Sequence, residues 1–215
     1  MATGSPARRQ RRAAPWLALL AGVLAAAPAP AETVVVRGRA TLSLHGVSLA
    51  DVLPVVVYLE PLDAPPPRPP ATPRPTVHQR DARFAPRFLA VAAGQTVDMP
   101  NDDAIYHNVF SYSRPNDFDL GLYPAGQSRA VSLRHPGMVK LYCSIHESMT
   151  GTIFVAPSPW FATVSADGRF AIPGVPPGRY RLGTWSERLP GTRREITVRA
   201  GEAAPLTVAL VDAGR

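Results

Sequence analysis

The 215-residue chain holds a single cysteine, Cys143. One cysteine excludes an internal disulfide, a four-cysteine zinc site, an iron–sulfur cluster held by cysteines alone and a C-x-x-C-H haem attachment. Helical periodicity is also missing beyond the first thirty residues, and proline (25) is far above its usual share. Long helices and coiled coils are therefore excluded as the main architecture, and short strands joined by turns are expected. No internal repeat is visible. Apolar residues (46%) outnumber charged ones (18%), so the chain can build a core and a globally disordered chain is excluded.

Residues 1–31 read as a secretory signal. Arg8, Arg9, Arg11 and Arg12 form a basic start without acids, Trp16 to Ala27 is apolar, and Ala29-Pro30-Ala31 is a small-x-small site before Glu32. The residues after the paired arginines do not resemble a twin-arginine motif, so Sec export is expected. No other segment could cross a membrane, so no span remains after cleavage and the expected location is the periplasm. Cleavage would leave 19 basic against 16 acidic side chains, a net +3 in place of the full chain's +7. The arginines are scattered and form no basic aromatic stripe, which argues against a nucleic-acid partner. In an oxidising compartment a free thiol needs protection, by burial or by a metal.

The mature chain divides by texture. Residues 33–60 carry two strands, Thr33–Leu44 and Leu53–Leu59. Residues 61–76 form a linker, with eight prolines in 61–75. Residues 77–157 hold strand candidates at Phe84–Val91, Thr96–Met99, His107–Tyr112, Ser128–Leu133, Met138–Tyr142 and Gly151–Val155. Residues 158–212 hold Phe161–Val164, Arg169–Ile172, Tyr180–Trp185, Glu195–Val198 and Leu206–Val211. Between them, Pro173 to Gly178 reads as a turn. The expected fold class is all-β, an antiparallel sandwich or barrel arrangement.

One loop carries chemistry. In L-Y-C-S-I-H-E-S-M-T-G, Cys143, His146 and Met149 follow a C-x2-H-x2-M spacing between two strand candidates. Thiolate, imidazole and thioether together suit copper in both oxidation states. A second imidazole would complete a two-histidine, one-cysteine set with a weak methionine, and His107, in I-Y-H-N-V-F-S, is the candidate. Zinc fits less well because methionine is a poor zinc ligand. A Cys/His nucleophile pair would need an orienting third group, and none is visible. His45, His78 and His135 read as surface or turn residues. Asp102 and Asp103 read as turn residues before His107, with support of a metal ligand as the alternative. Tyr106, Tyr123 and Ile145 fit either an apolar patch at the ligand edge or core packing, and Trp160 and Trp185 fit core or inter-domain packing.

These residues resemble a known family. The segment from about Phe84 to Val155 looks like a cupredoxin, through His107-Asn108-Val109, Pro136-Gly137, Tyr142-Cys143 and the short C-x2-H-x2-M loop. That loop is similar to the one in amicyanins; plastocyanins have a longer His-to-Met gap. The whole chain resembles the bacterial methylamine utilization protein-like family. The resemblance implies a cupredoxin Greek-key sandwich over 77–157 and one mononuclear type 1 copper site. Its ligands would be His107, Cys143, His146 and Met149, with Asn108 tying the two ligand loops together. Many cupredoxins have proline two residues after the cysteine. Ile145 stands there here, and its amide is free to give the sulfur a second hydrogen bond, which would raise the reduction potential. The segments 33–60 and 158–212 resemble a carboxypeptidase-regulatory-like, transthyretin-like β-module, through Pro159-Trp160-Phe161, Asp167 to Phe170 and Gly174 to Tyr180. That resemblance implies a second β-sandwich with the cupredoxin nested inside it; three serial pieces are the alternative.

The function expected from these features is a periplasmic single-electron carrier with a protein redox partner and no enzymatic turnover. Two alternatives stay open: a copper carrier or sensor that does not shuttle electrons, and a structural or adhesion β-module protein.

Overall fold

Sixteen strands and one short helix occupy the described residues of the computed structural model, which are 1, 32–201 and 205–211. The segment expected to be a secretory signal lies outside them except for Met1. In chain order the elements begin β1 (Val34–Thr41), α1 (Leu49–Val52), β2 (Val55–Pro61), β3 (His78–Arg80), β4 (Arg83–Ala85), β5 (Phe88–Ala92), β6 (Thr96–Pro100), β7 (His107–Ser111) and β8 (Phe118–Tyr123). They continue with β9 (Ser128–Ser132), β10 (Gly137–Tyr142), β11 (Thr150–Ala156), β12 (Phe161–Thr163), β13 (Arg169–Val175), β14 (Gly178–Ser186), β15 (Arg193–Val198) and β16 (Leu206–Ala209). The architecture is all-β.

Strand pairing links the two ends of this region. β1 lies between β13 and β16, and β2 lies between β12 and β14, with β15 beyond β14. These two sheets enclose one core, which includes Val55, Val57, Leu59, Ile172, Tyr180 and Leu182. All strands of the remaining sheets come from residues 78–156. They are the five-stranded sheet β5-β11-β10-β7-β8, the pair β6-β9 and the hairpin β3-β4. Their separate core includes Phe84, Val97, Met99, Tyr123, Leu141, Cys143, Met149 and Ile153.

β2 and β11 are buried on both faces, and their sequences show it. V-V-V-Y-L and I-F-V-A are unbroken apolar runs, the pattern of a strand covered on two sides rather than one. Val55, Val57 and Leu59 face one core and Ile153 and Val155 the other, while Val56, Tyr58, Phe154 and Ala156 form a third cluster between them. There the Trp185 ring stacks on Phe88 and Phe154, with centroids 5.5 and 4.7 Å apart. Gly183, paired with Tyr58, is needed for this packing, because a Cβ there would lie 2.3 Å from the Tyr58 ring.

Three expectations change. The run Phe84–Val91 is two strands, because Pro86 cannot donate to a ladder and β4 ends before it. β8 was not anticipated: Asp119 and Gly121 break its apolar pattern, and a register shift against β7 falls beside Gly121, whose φ is +65°. Pro173 does not end its strand, since β13 runs on to Val175 as an edge strand where proline is tolerated. The proline segment is mostly exposed and is anchored at both ends. Asp63 accepts hydrogen bonds from the Arg179 guanidinium, and Pro75 and Val77 exchange backbone hydrogen bonds with Asp98 at 2.9 Å.

Candidate metal centre

Cys143 follows directly on β10, and His146 and Met149 lie in the short loop that leads to β11. His107 is the first residue of β7, and the pairing of Tyr142 with Phe110 sets the end of β10 beside it. The result is a compact donor triangle. Cys143 Sγ lies 3.8 Å from His107 Nδ1 and 3.7 Å from His146 Nδ1, and the two Nδ1 atoms are 3.1 Å apart. The point equidistant from these three atoms lies about 2 Å from each, the length of a metal–nitrogen or metal–sulfur bond. Among the described residues this is the one group of three or more metal-donor side chains close enough to share an ion. Met149 is buried in the same core cluster as Cys143, and its amide donates to the His146 carbonyl at 2.9 Å. A thiolate, two imidazoles and a nearby thioether make a donor set that fits copper.

Burial grades across the site. His107 is fully buried, Cys143 nearly so, and His146 is partly exposed. Asn108 Oδ1 accepts from the Ser144 amide at 2.7 Å, which joins the β7 end to the Cys143–Met149 loop. The Sγ atom has the two histidine nitrogens as its hydrogen-bond-range partners, and the amide of Ile145 is not among them. Asp103 differs more. Its Oδ2 sits 2.7 Å from His107 Nε2, so the residue read as part of a turn contacts the far side of the imidazole. Burial works against its charge, but hydrogen bonds from the Ala82 amide, the His107 ring and the Asp81 amide hold its carboxyl below the usual range. Under the triangle, Tyr123 donates to the Met99 carbonyl at 2.8 Å and accepts from Gln79, and burial pushes its phenol up to about 12.

Comparison with known proteins gives partial likenesses. A purple cupredoxin from Nitrosopumilus maritimus is 22% identical, over 38% of this chain and 99% of its own, with a TM-score of 0.35. A Cu(I) amicyanin variant is 20% identical over 37% of this chain and 79% of its own, with a TM-score of 0.36. A reduced amicyanin variant is 19% identical over 46% of this chain and 97% of its own, with a TM-score of 0.37. The family model described as polysaccharide lyase family 4, domain II, matches residues 160–206. No curated protein matches the chain.

The other sequence candidates separate by position. Tyr106 and Ile145 are exposed beside the ligand residues, as are Ile105 and Leu122, but Tyr123 is fully buried and belongs to the core. His78 pairs with Asp102 at 2.7 Å, and neither it nor His45 nor His135 joins the donor cluster. Trp185 lies between the two sandwiches, while Trp160 meets Tyr180 edge-on. No helix among the described residues is long and apolar enough to cross a membrane.

Proposed function

We propose that this protein is an exported, periplasmic type 1 copper protein that carries single electrons. In this reading His107, Cys143 and His146 hold the metal, with Met149 as a weak fourth donor. The observation that carries the reading is the donor triangle: two Nδ1 atoms and one thiol sulfur, drawn from two separate strand ends, meet at bonding distance of a common point. Copper bound there would supply a one-electron couple. The chain's own residues would supply rigidity. Cys143 and Met149 are packed in a core, His107 is fully buried, and Asn108 ties the two ligand segments together, so the donors would keep one arrangement in both oxidation states. The partly exposed His146, with Ile105, Tyr106, Leu122 and Ile145 exposed nearby in sequence and register, offers a surface for a redox partner. The second sandwich would act as a scaffold. The reading includes no substrate turnover, and neither a nucleic acid nor a membrane as partner.

The test is metal content and visible spectrum of the purified mature protein. The expected result is one copper per chain, an intense thiolate-to-copper band and reversible one-electron cycling, with the band abolished in Cys143→Ser. A colourless protein that takes only Cu(I) would replace the shuttle by a copper carrier. A protein that takes no copper would leave the structural β-module reading.

A further inference from the structure

The geometry points to Asp103 as a positioning residue that fixes the tautomer and orientation of His107, and to the β3–β4 turn as the device that holds Asp103. The inference rests on the copper reading for its consequence, but its central claim concerns the metal-free protein.

A carboxylate accepts hydrogen bonds and does not donate them. At 2.7 Å from Asp103 Oδ2, Nε2 of His107 must therefore carry the ring proton. In the neutral ring that leaves Nδ1 bare, and Nδ1 is the atom that faces Cys143 and His146. The neighbours of Nδ1, Cys143 Sγ and His146 Nδ1, can each give or take a proton, so the carboxylate is the one partner of the ring that accepts only.

Asp103 is itself held on two sides. Its Oδ1 accepts from the Asp81 amide at 2.6 Å and its Oδ2 from the Ala82 amide at 2.9 Å. These two residues form the turn of the β3–β4 hairpin, and they are the non-glycine residues with positive φ among the described residues, at 54° and 51°. Two successive residues of this kind aim adjacent N–H groups at one anion. A turn of this type usually contains glycine or asparagine, and the chain has alanine in its second position without a side chain that could compensate locally. The same hairpin holds the neighbouring residue. Asp102 donates its amide to the Gln79 carbonyl at 2.9 Å and takes His78 and Arg80 on its carboxylate at 2.7 and 2.9 Å. Residues 101–103 are thus clipped along β3, and the clip ends at the imidazole.

A carboxylate behind a ligating imidazole makes it a stronger donor and favours the more highly charged metal state. Replacing Asp103 should therefore weaken Cu(II) binding and raise the reduction potential. The experiment is nitrogen-15 NMR of the histidine rings in the metal-free protein at about pH 8, where an ordinary imidazole is neutral, on the wild type and on Asp103→Ala. The expected wild-type result is a single His107 tautomer protonated on Nε2, a measurement that needs no variant to fold. In Asp103→Ala, which has no acceptor for the Nε2 proton, that signature is lost, Cu(II) affinity falls about tenfold or more, and the potential moves upward. A wild-type His107 protonated on Nδ1 overturns the proposal. So does a folded Asp103→Ala protein that keeps both tautomer and potential, because a carboxylate that only closes the turn would alter stability and leave both unchanged. If the wild type takes up no copper, the copper reading fails while the tautomer measurement still decides this one.

Discussion

Ala82 occupies a backbone conformation that an L-residue with a Cβ avoids, with φ at +51°. The cost of that conformation is about 1–2 kcal/mol for a non-glycine residue, offset in part for glycine by the extra freedom it loses on folding. Ala82→Gly keeps the amide that reaches Asp103 and removes the Cβ conflict. It should stabilise the protein by about 1 kcal/mol, read as a higher midpoint in urea unfolding. A lower midpoint would mean that the Cβ makes contacts worth more than the strain. At this scale the local part of the metal centre was legible. Cys143, His146 and Met149 lie within seven residues, so their spacing alone placed them in one loop. His107 lies far from that loop, and it was named because a second imidazole was needed and because His107-Asn108-Val109 resembles the cupredoxin pattern. Asp103 was legible first as a turn former, with support of a ligand only as the second reading. Its role depends on the φ values of Asp81 and Ala82, and the D-A pair gives no glycine signal for them. Tyr106 and Tyr123 are alike in sequence, yet one is exposed and the other lies opposite His107 in the core.

Among the elements, β2 and β11 carry the join between the two sandwiches. Each presents alternate residues to its own core and the others to the shared cluster of Val56, Tyr58, Phe154 and Ala156. Their unbroken apolar runs could be read as two-sided burial, although nothing in the runs says which strand covers which. β8 was lost for the opposite reason, because its glycine and aspartate serve a bulge and disguise the strand. Phe154 tests the join. Its ring is nearly buried, stacked on Trp185 and tilted against Tyr58 at 5.6 Å. Phe154→Ala should cost about 3–5 kcal/mol, because a rigid aromatic cluster cannot collapse into the space left. Since Phe154 faces away from the core that holds Cys143 and Met149, the visible spectrum of the copper-loaded variant should keep its band position. Chemical denaturation and the spectrum check the two halves of this expectation. A loss below about 1 kcal/mol would mean that the two sandwiches are not coupled through this cluster.

At the scale of the whole molecule, the apolar join has a charged counterpart. Glu187, just past β14, takes a hydrogen bond from Thr152 on β11 at 2.6 Å and pairs with Lys140 on β10, and the Lys140 ammonium also reaches Thr152 at 3.1 Å. Partial burial opposes the charge of Glu187, but these partners outweigh it and hold its carboxyl below the ordinary glutamate range. The sign of the pH dependence follows. A carboxyl that is more acidic in the folded than in the unfolded chain binds fewer protons when folded, so its contribution is complete above the unfolded value near 4.3. That contribution is lost as the pH falls through the lower, folded value. For a pair about one third exposed, it should amount to about 1 kcal/mol at neutral pH. Glu187→Gln should therefore lower the melting temperature at pH 7, and the gap between variant and wild type should close on acidification below about pH 4.5. Raising the salt concentration at pH 7 should narrow the same gap, because partly exposed charges are screened. Thermal melts across this pH range decide the matter. A gap that stays constant down to pH 3 would show that Glu187 acts through packing and not through charge, leaving the aromatic cluster to hold the two sandwiches together.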